Sequence, residues 1–400
     1  MAIEKLSGWL GDPRQIQVER ALAEFRAARP VLIRDTGTAV LAFPVEALDD
    51  TVIAHLRGGA SVPRLVVSGA RLKSRFGWEG GNGRIVLDRF DAEGIAAFLD
   101  HRGDDHNCGH LLDHDIPSGC LPEGTAISEP DRLEAAALAL ANLSLLLPAV
   151  AVIEAPHTVA GGVLPVLALD AEWIATFRDR EAERLQLVAR TVVPLEGVEH
   201  AEFVIFRGGD GFRDHVAIVI SKPSPDEPVL TRIHSACLTG DLFGSLKCDC
   251  GDQLRGTVRH MSEMGGGIVL YLDQEGRGNG IANKIRAYGL QHVGFDTFDA
   301  DEILGFGFDQ RRFDFAGQML KQLGYRSIRL MTNNPQKIEA LRDAGLDVVS
   351  SLRVLARHNP HNVKYLTAKR DRAGHLLGDV SVDAEPTSPL QLPLKAVCLP

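Results

Sequence analysis

Residues 232–251 read Arg-Ile-His-Ser-Ala-Cys-Leu-Thr-Gly-Asp-Leu-Phe-Gly-Ser-Leu-Lys-Cys-Asp-Cys-Gly. They bring Cys237, Cys248 and Cys250 together between a strand-like run, residues 229–233, and a helix-like run, residues 253–264. Three thiolates can hold a zinc ion and leave one tetrahedral position open, which is typical of catalytic zinc, whereas structural zinc normally has four protein ligands. The segment therefore predicts a metal centre that follows a strand.

Two other interpretations of the same segment stay open. The three cysteines could be buried free thiols, or His234 could act as a fourth ligand and complete a structural clamp. Spacing alone does not decide between them, so the rest of the chain has to be considered.

The whole chain has the composition of an ordinary globular protein. Its 400 residues, 45% hydrophobic and 24% charged, are enough for two or three domains. A net charge of −10 argues against an extended nucleic-acid-binding surface, so no nucleic-acid partner is expected. The opening residues, Met-Ala-Ile-Glu-Lys-Leu-Ser, lack the apolar core of a signal peptide, which predicts a cytoplasmic location with reduced thiols.

One uncharged stretch, residues 135–153, nearly reaches the length of a membrane span. It is rich in alanine and contains Pro148, so we interpret it as a buried helix, residues 132–147, followed by a short strand. No membrane partner is expected.

Helix and strand signals alternate along the chain, which predicts a mixed α/β fold in more than one domain. The first domain is expected to span residues 1–190. It begins with a helix over residues 15–28 and ends with a helical run over residues 181–187. Further strands and helices follow, including predicted helices at 281–292 and 310–323, and a flexible tail is expected over residues 378–400.

The stretch from His101 to Cys120 concentrates histidine, cysteine and aspartate side chains. Such a density could ligate a second metal, but the spacing matches no zinc motif. A solvated polar loop is the interpretation that we favour.

Two further turns have the form of phosphate-binding sites. Asp-Gln-Glu-Gly-Arg-Gly-Asn-Gly, residues 273–280, links a strand to a helix and exposes backbone N–H groups, with Arg277 adding a bidentate fork. Met-Thr-Asn-Asn-Pro-Gln-Lys, residues 331–337, is a second strand-to-helix turn from which Thr332 and Lys337 could reach an anion. Ordinary helix capping by an asparagine explains that second turn equally well.

Read together, these segments resemble the GTP cyclohydrolase II family of riboflavin biosynthesis. The resemblance covers residues 195–376 and identifies them as a catalytic domain that follows a separate α/β domain. It rests on these blocks: 232–241, 248–253, 274–278 (Gln-Glu-Gly-Arg-Gly), 283–288 (Asn-Lys-Ile-Arg-Ala-Tyr), 304–311, 332–335 (Thr-Asn-Asn-Pro), 365–369 and 374–375.

The resemblance implies zinc-dependent hydrolysis of GTP to 2,5-diamino-6-ribosylamino-4(3H)-pyrimidinone 5′-phosphate, formate and pyrophosphate, with Mg²⁺ on the triphosphate. It also implies a homodimer. Zinc would be held by Cys237, Cys248 and Cys250, and a zinc-bound water, ionised near neutral pH, would attack C8 of the guanine ring.

The same resemblance assigns roles to other residues. Tyr288 matches the family's active-site tyrosine, and Asp309 and Arg311 match the positions that act at the phosphate. Because arginine stays protonated, we interpret Arg311 as stabilising charge on the phosphoryl group. The positions that match GTP contacts are Arg232, Ile233, His234, Ser235, Ala236, Gln253, Glu275, Gly276, Arg277, Thr297, Thr332 and Lys337.

Three departures from the family pattern keep alternatives open. Ala236 stands where glutamate is usual, Asn279 where an apolar residue is common, and Asp301 where asparagine is usual. The chain could therefore bind GTP as a non-catalytic regulatory protein. Release of a formylated product after ring opening is a separate alternative. Full activity is the leading interpretation, because the three thiols, Tyr288, Asp309 and Arg311 are all present. A zinc-stabilised nucleic-acid-binding module is disfavoured by the acidic charge.

Residues 30–35, Pro-Val-Leu-Ile-Arg-Asp, resemble the start of dihydroxybutanone phosphate synthase, which precedes this domain in bifunctional relatives. That enzyme needs acidic residues after this strand for magnesium and its sugar phosphate. Here residues 36–40 are Thr-Gly-Thr-Ala-Val. The N-terminal domain is therefore expected to be a degenerate, non-catalytic relative.

Overall fold

The structure, a computed structural model, describes residues 11–59, 61–87, 126–155, 166–178, 182–208, 213–307, 309–354, 358–377 and 380. The chain is mixed α/β, with two seven-stranded sheets, which confirms the predicted fold class. It divides into two compact units. Unit 1 contains Met1–Asp179 and Asn279–Gln310, and unit 2 contains Arg180–Gly278 and Arg311–Pro400.

Unit 1 is built on a sheet with the strand order β5-β4-β3-β6-β2-β1-β7, in which only the β1–β7 pair is parallel. Its strands are β1 (Val31–Asp35), β2 (Thr38–Pro44), β3 (Arg64–Val67), β4 (Gly83–Val86), β5 (Ile127–Ser128), β6 (Ala149–Glu154) and β7 (Leu167–Asp170). Its first helices are α1 (Pro13–Arg26), α2 (Asp50–Gly58), α3 (Gly69–Phe76), α4 (Arg132–Leu143) and α5 (Ala171–Ala175).

Helix α1 shows how the local sequence sets an element. Asp12 accepts a hydrogen bond from the N–H of Arg14, and Pro13 occupies the first turn, where its missing N–H costs nothing. The helix buries Val18, Leu22 and Phe25 against the sheet. The predicted helix over residues 15–28 is thereby confirmed within two residues.

The uncharged stretch after residue 131 forms a short helix and a strand. Helix α4 ends at Leu143, earlier than predicted, because Leu145 adopts a left-handed backbone with φ +59° ahead of Pro148. Strand β6 follows at Ala149. Across the residues that the structure describes, no helix combines the length and apolarity that a membrane span requires.

The segment 279–310 packs within unit 1, although it lies in the C-terminal half of the sequence. It forms α6 (Ile281–His292) and α7 (Thr297–Ile303). The buried guanidinium of Arg71 donates to the carbonyl of Leu304 at 2.8 Å, and Asn283 donates to the carbonyl of Leu145 at 2.9 Å. These long-range contacts explain why residues 279–310 group with unit 1.

Unit 2 is built on a sheet with the strand order β14-β13-β11-β12-β10-β9-β8. The four strands β14, β13, β11 and β12 are parallel, and the other three are antiparallel. They are β8 (Gln186–Val192), β9 (Ala201–Arg207), β10 (Asp214–Ile220), β11 (Val229–Ser235), β12 (Gly267–Leu272), β13 (Ser327–Met331) and β14 (Asp347–Leu352). The helices are α8 (Leu238–Asp241), α9 (Cys250–Glu263), α10 (Asp314–Gln322), α11 (Pro335–Asp343) and α12 (Val363–Ala373).

Two predicted helices need correction. The helix predicted over residues 181–187 is wrong. A short 3-10 turn, Ala182–Arg184, leads directly into β8, which pairs with β9. The helix predicted over 310–323 begins only at Asp314, because the backbone of Arg312 is bound by the side chain of Gln274. The stretch His101–Cys120 and nearly all of the predicted tail lie outside the described residues.

Candidate active site

The three segments singled out in the sequence meet at one edge of the unit 2 sheet. Strands β11, β12 and β13 are parallel neighbours, so their carboxyl ends lie side by side, where α/β proteins commonly bind ligands. The segments that follow these strands are in contact: the N–H of Leu238 in α8 donates to Glu275 at 2.5 Å, and Lys337 in α11 donates to the carbonyl of Ile233 in β11 at 2.8 Å. Sheet topology therefore assembles the site from distant parts of the sequence.

The three cysteines form a compact cluster. Their Sγ atoms all lie within 4.8 Å of one another, and those of Cys237 and Cys248 are 3.7 Å apart. A hydrogen bond with Cys237 raises the pKa of Cys248 to about 11, and a hydrogen bond with the same thiol raises the pKa of Cys250 well above its usual value. Thiols this close ionise together only when a cation offsets their charge, so the donor set fits a divalent metal.

Two glycines permit this crowding. A Cβ at Gly240 would lie 2.7 Å from the Sγ of Cys248 and 3.0 Å from that of Cys237. A Cβ at Gly251 would lie 2.2 Å from the carbonyl oxygen of Gly240. The Thr-Gly-Asp and Cys-Asp-Cys-Gly segments therefore need glycine so that the backbones of α8 and α9 can approach behind the thiols.

His234 is engaged away from the thiol cluster. Its Nε2 lies 3.1 and 3.0 Å from the two carboxylate oxygens of Asp241, which also accepts from the hydroxyl of Tyr271 and the N–H of Cys237, each at 3.0 Å. Burial lowers the pKa of His234. Among the described residues, the group of side chains that could hold a metal contains the three cysteines and no histidine. Asp241 thus orients both the first cysteine and the buried imidazole.

Asp249, between the second and third cysteines, is 3% exposed and belongs to a buried hydrogen-bond chain. It accepts from the amide of Gln253 at 2.5 Å, and Gln253 accepts from the guanidinium of Arg232. Arg232 also donates to the carbonyl of Met331 at 3.0 Å, and burial lowers its pKa to about 10. Arg232 and Gln253, two predicted GTP contacts, thus link the segment that carries the cysteines, residues 237–250 (below, the metal loop), to the end of β13.

Two cations share one aromatic ring near this edge. The guanidinium of Arg311 lies 5.4 Å, and the ammonium of Lys337 5.1 Å, from the ring centroid of Phe313. The buried side chain of Gln274 holds the next residue, Arg312, by donating to its carbonyl at 2.6 Å and accepting from its N–H at 3.1 Å. Two cations held on one ring suit the oxygens of a phosphate chain.

The glycine-rich loop has an unusual backbone. Gly276 (φ 61°, ψ 38°) and Arg277 (φ 60°, ψ 30°) both adopt left-handed conformations, and Arg277 does so despite its side chain. Strain of this kind is concentrated at ligand-binding sites. In the Thr-Asn-Asn-Pro turn, Asn334 accepts from the N–H of Gln336 at 3.0 Å and caps α11, which confirms the capping interpretation of that asparagine.

Three predicted site residues lie in unit 1. Tyr288 is on α6, with the ammonium of Lys284 5.7 Å from its ring centroid. Thr297 begins α7 and accepts from the amide of Gln291 at 3.4 Å. Asp309 precedes the end of the segment that groups with unit 1. Their roles remain predictions.

Sequence reasoning missed several residues that shape the site: Asp241, Asp249, Gln274 and Phe313. The first three lie inside the quoted motifs, beside residues that were assigned a role, so the motif itself was the available signal. Nothing in the sequence around Phe313 marked its ring as a platform for two cations.

Three thiols that could hold a metal, with the buried cations Arg232 and Lys337 at the same carboxyl edge of parallel strands, are an arrangement that suits a metalloenzyme. The family model described as GTP cyclohydrolase II matches residues 186–353. The GTP cyclohydrolase-2 of Xylella fastidiosa (strain 9a5c) is 42% identical over 380 residues, which are 94% of this chain and 90% of that protein. The chain therefore belongs to the GTP cyclohydrolase II family, and the prediction of an enzyme of this family is confirmed.

Other relatives differ in how much of the chain they match. The GTP cyclohydrolase-2 of Azospirillum brasilense is 40% identical over 369 residues, covering 90% of this chain and 93% of its own length. That of Escherichia fergusonii is 50% identical over 165 residues, covering 41% of this chain and 83% of its own length. The N-terminal half is therefore shared with some members of the family and not with others.

One solved structure, a two-domain 3,4-dihydroxy-2-butanone 4-phosphate synthase from A. baumannii, aligns with 85% of this chain and 99% of its own. The identity is 16% and the TM-score is 0.30. A likeness at this level supports no conclusion about the N-terminal half, whose relation to that synthase stays a prediction.

Proposed function

We propose that the chain is a zinc-dependent GTP cyclohydrolase II of riboflavin biosynthesis. It would convert GTP to 2,5-diamino-6-ribosylamino-4(3H)-pyrimidinone 5′-phosphate, formate and pyrophosphate. The observation that carries the proposal is the cluster of three thiols within 4.8 Å, set beside buried cations in a chain of this family.

Cys237, Cys248 and Cys250 would hold the zinc ion. Zinc in such a site lowers the pKa of water to about 7 and so supplies a nucleophile at neutral pH. The proposal is supported by the engagement of His234 with Asp241 and by a group of potential ligands that, within the described part of the chain, contains three cysteines; the fourth position would be open for the reaction.

The nucleotide would be bound by its phosphates and its base. Arg311 and Lys337 would stabilise the negative charge of the triphosphate together with Mg²⁺, and the strained loop at Gly276 and Arg277 would present its N–H groups to phosphate oxygens. Tyr288 would move a proton during ring opening and Asp309 would accept one at the phosphate step.

Ala236 bears on affinity more than on chemistry. Its N–H donates to the carbonyl of Leu272 at 2.8 Å, so the backbone joins β11 to β12 as it would with any side chain. The missing carboxylate would remove one polar contact to the nucleotide and leave the thiols and cations in place. We expect weaker GTP binding and retained turnover.

The remaining parts of the proposal concern the whole chain. The N-terminal domain would be a non-catalytic relative of dihydroxybutanone phosphate synthase, and the enzyme would be a cytoplasmic homodimer. The domain limits proposed from sequence are residues 1–190 and 195–376.

The test is to incubate the zinc-loaded protein with GTP and Mg²⁺ and to measure formate, pyrophosphate and the mass of the pyrimidine product. We expect about one zinc per chain, equal amounts of formate and pyrophosphate, and a deformylated product. Cys248→Ser should lose zinc and formate release together.

Each contrary result has a separate meaning. A product that keeps its formyl group would show that the reaction stops after ring opening. GTP binding with zinc present but without formate or pyrophosphate would contradict the enzymatic proposal and support a regulatory protein.

A further inference from the structure

Helix α12 and the residues after it lie between the metal loop and the Thr-Asn-Asn-Pro turn. Gly374, in a left-handed conformation with φ 63°, ends the helix, and the N–H of His375 donates to the carbonyl of Lys369 at 3.2 Å. The N–H of Leu376 then donates to the carbonyl of Asn333 at 2.9 Å. The end of α12 is therefore anchored to the loop after β13.

One side chain of this helix reaches the metal loop. The ammonium of Lys369 lies 3.4 Å from Oδ1 of Asp249 and 4.1 Å from the ring centroid of Tyr365. The side chain of Lys369 is 21% exposed and that of Asp249 is 3% exposed, so the pair is largely shielded from water. The other carboxylate oxygen of Asp249 accepts from Gln253, which fixes the plane of the carboxylate.

Charge explains why a cation is needed there. A divalent metal with three thiolates carries one net negative charge, and the buried carboxylate of Asp249 adds a second within the same loop. Buried charges without a partner strongly destabilise a folded protein. Here two cations balance the negative charge: Lys369 pairs with Asp249, and Arg232 is hydrogen-bonded to Gln253, which in turn binds Asp249.

We propose that Lys369 is a positioning residue for the metal centre, which it serves by holding Asp249 and so the Cys248-Asp249-Cys250 segment in the ligating conformation. The inference rests on the proposed function, because it requires a metal at the three thiols. Residues that orient ligands from behind a metal site commonly change metal affinity by about 10- to 100-fold when they are removed. Without Lys369, the carboxylate of Asp249 would turn towards solvent and pull the segment between two ligands with it.

The experiment compares the zinc affinity of apo-protein variants by competition with a chromogenic chelator. Lys369→Met keeps the aliphatic stem and should weaken zinc binding about tenfold or more. Lys369→Arg restores the cation and should recover most of the affinity. Lys364→Met, an exposed lysine on the same helix, is the matched control and should bind zinc as the wild type does.

A second readout separates positioning from general stability. The thermal midpoint of each apo-protein, measured by circular dichroism, should fall in Lys369→Met, because the buried carboxylate of Asp249 loses its cation, so zinc affinity is compared at a temperature at which every apo-protein is still folded. If that variant does not fold, Lys369→Gln takes its place, with the same expected loss of zinc affinity.

Two results would overturn the inference. Wild-type zinc affinity in Lys369→Met, or in Lys369→Gln where that variant replaces it, contradicts this inference and leaves the proposed function standing. A wild-type protein that binds no zinc contradicts the metal centre, and this inference falls with it.

Discussion

The two units carry charged side chains at the ends of parallel strands, but they use them differently. In unit 1, Arg34 at the end of β1 pairs with Asp170 at the end of β7 at 2.6 Å, and Arg132 pairs with Asp35 at 2.8 Å. In unit 2, Arg311 and Lys337 lie over an aromatic ring near the ends of β11 and β13. At the edge in unit 1 the arginines thus form ion pairs with carboxylates, whereas at the edge in unit 2 two cations lie over one aromatic ring.

A cavity of about 890 Å³ in unit 1 makes the contrast clear. Its lining includes Arg34, Arg64 and Arg132, and each of them pairs with a carboxylate of the same unit; Arg64 lies 2.7 Å from the fully buried Glu134. An anionic ligand would have to compete with these carboxylates. These ion pairs would weaken the attraction of the three arginines for a phosphate, so arginines in a cavity do not by themselves make a phosphate site.

The largest expected effect comes from removing a unit 2 cation. Arg311→Ala should lower the rate of pyrophosphate release about 10²- to 10³-fold, because it removes a preorganised charge that stabilises the transition state. Zinc content should not change. Arg326→Ala, an exposed arginine of the same unit, serves as the control in steady-state assays of pyrophosphate release. Equal rates in Arg311→Ala and the wild type would remove the functional difference between the two units.

A smaller effect is expected from filling the space behind the thiols. Gly240→Ala places a methyl group 2.7 Å from the Sγ of Cys248, and such overpacking costs about 1–3 kcal/mol, which should appear as weaker zinc binding. Gly256→Ala is the matched control, since no atom lies within 4 Å of the added Cβ and alanine favours a helix by about 1 kcal/mol. Chelator competition and thermal unfolding measure both variants. Normal zinc affinity in Gly240→Ala would show that the metal does not need this packing.

The smallest effect belongs to unit 1. Arg132→Ala breaks an ion pair whose arginine side chain is 63% exposed, so the free energy of unfolding should fall by less than about 1 kcal/mol. GTP turnover should be unchanged. A stopped assay for formate and a denaturant titration check both statements. Loss of turnover, or formation of dihydroxybutanone phosphate by the wild-type chain, would contradict a non-catalytic N-terminal domain.

Local patterns predicted much of the fold. The helix at 281–292 and the strand at 327–331 have the bounds expected from hydrophobic periodicity and flanking glycines. The grouping of residues 279–310 with unit 1 could not be predicted, since it depends on contacts such as Arg71 to Leu304 that join residues 233 positions apart. Strand β8 was missed because its seven exposed residues show no buried face and are recognisable only by their pairing with β9.

The candidate site, like the fold, was predictable from the sequence only where it depends on short local motifs. The thiols and both phosphate-type turns were recognisable because each is a short motif at the end of a strand. The chain that joins Arg232, Gln253 and Asp249 was not, because it depends on the approach of β11 to α9 and β13 in space. His234 shows that spacing alone does not predict a side chain's partner. Its position suited a fourth metal ligand, but its ring nitrogen is hydrogen-bonded to Asp241, seven residues later.

The central claim is an open metal site made of three thiolates, and X-ray absorption at the zinc K-edge of the purified protein tests it directly. We predict three sulfur neighbours at about 2.3 Å and one oxygen neighbour at about 2.0 Å, without the multiple scattering of an imidazole. Four protein ligands, with a histidine or a fourth sulfur closing the shell, would contradict the claim, and so would the absence of zinc.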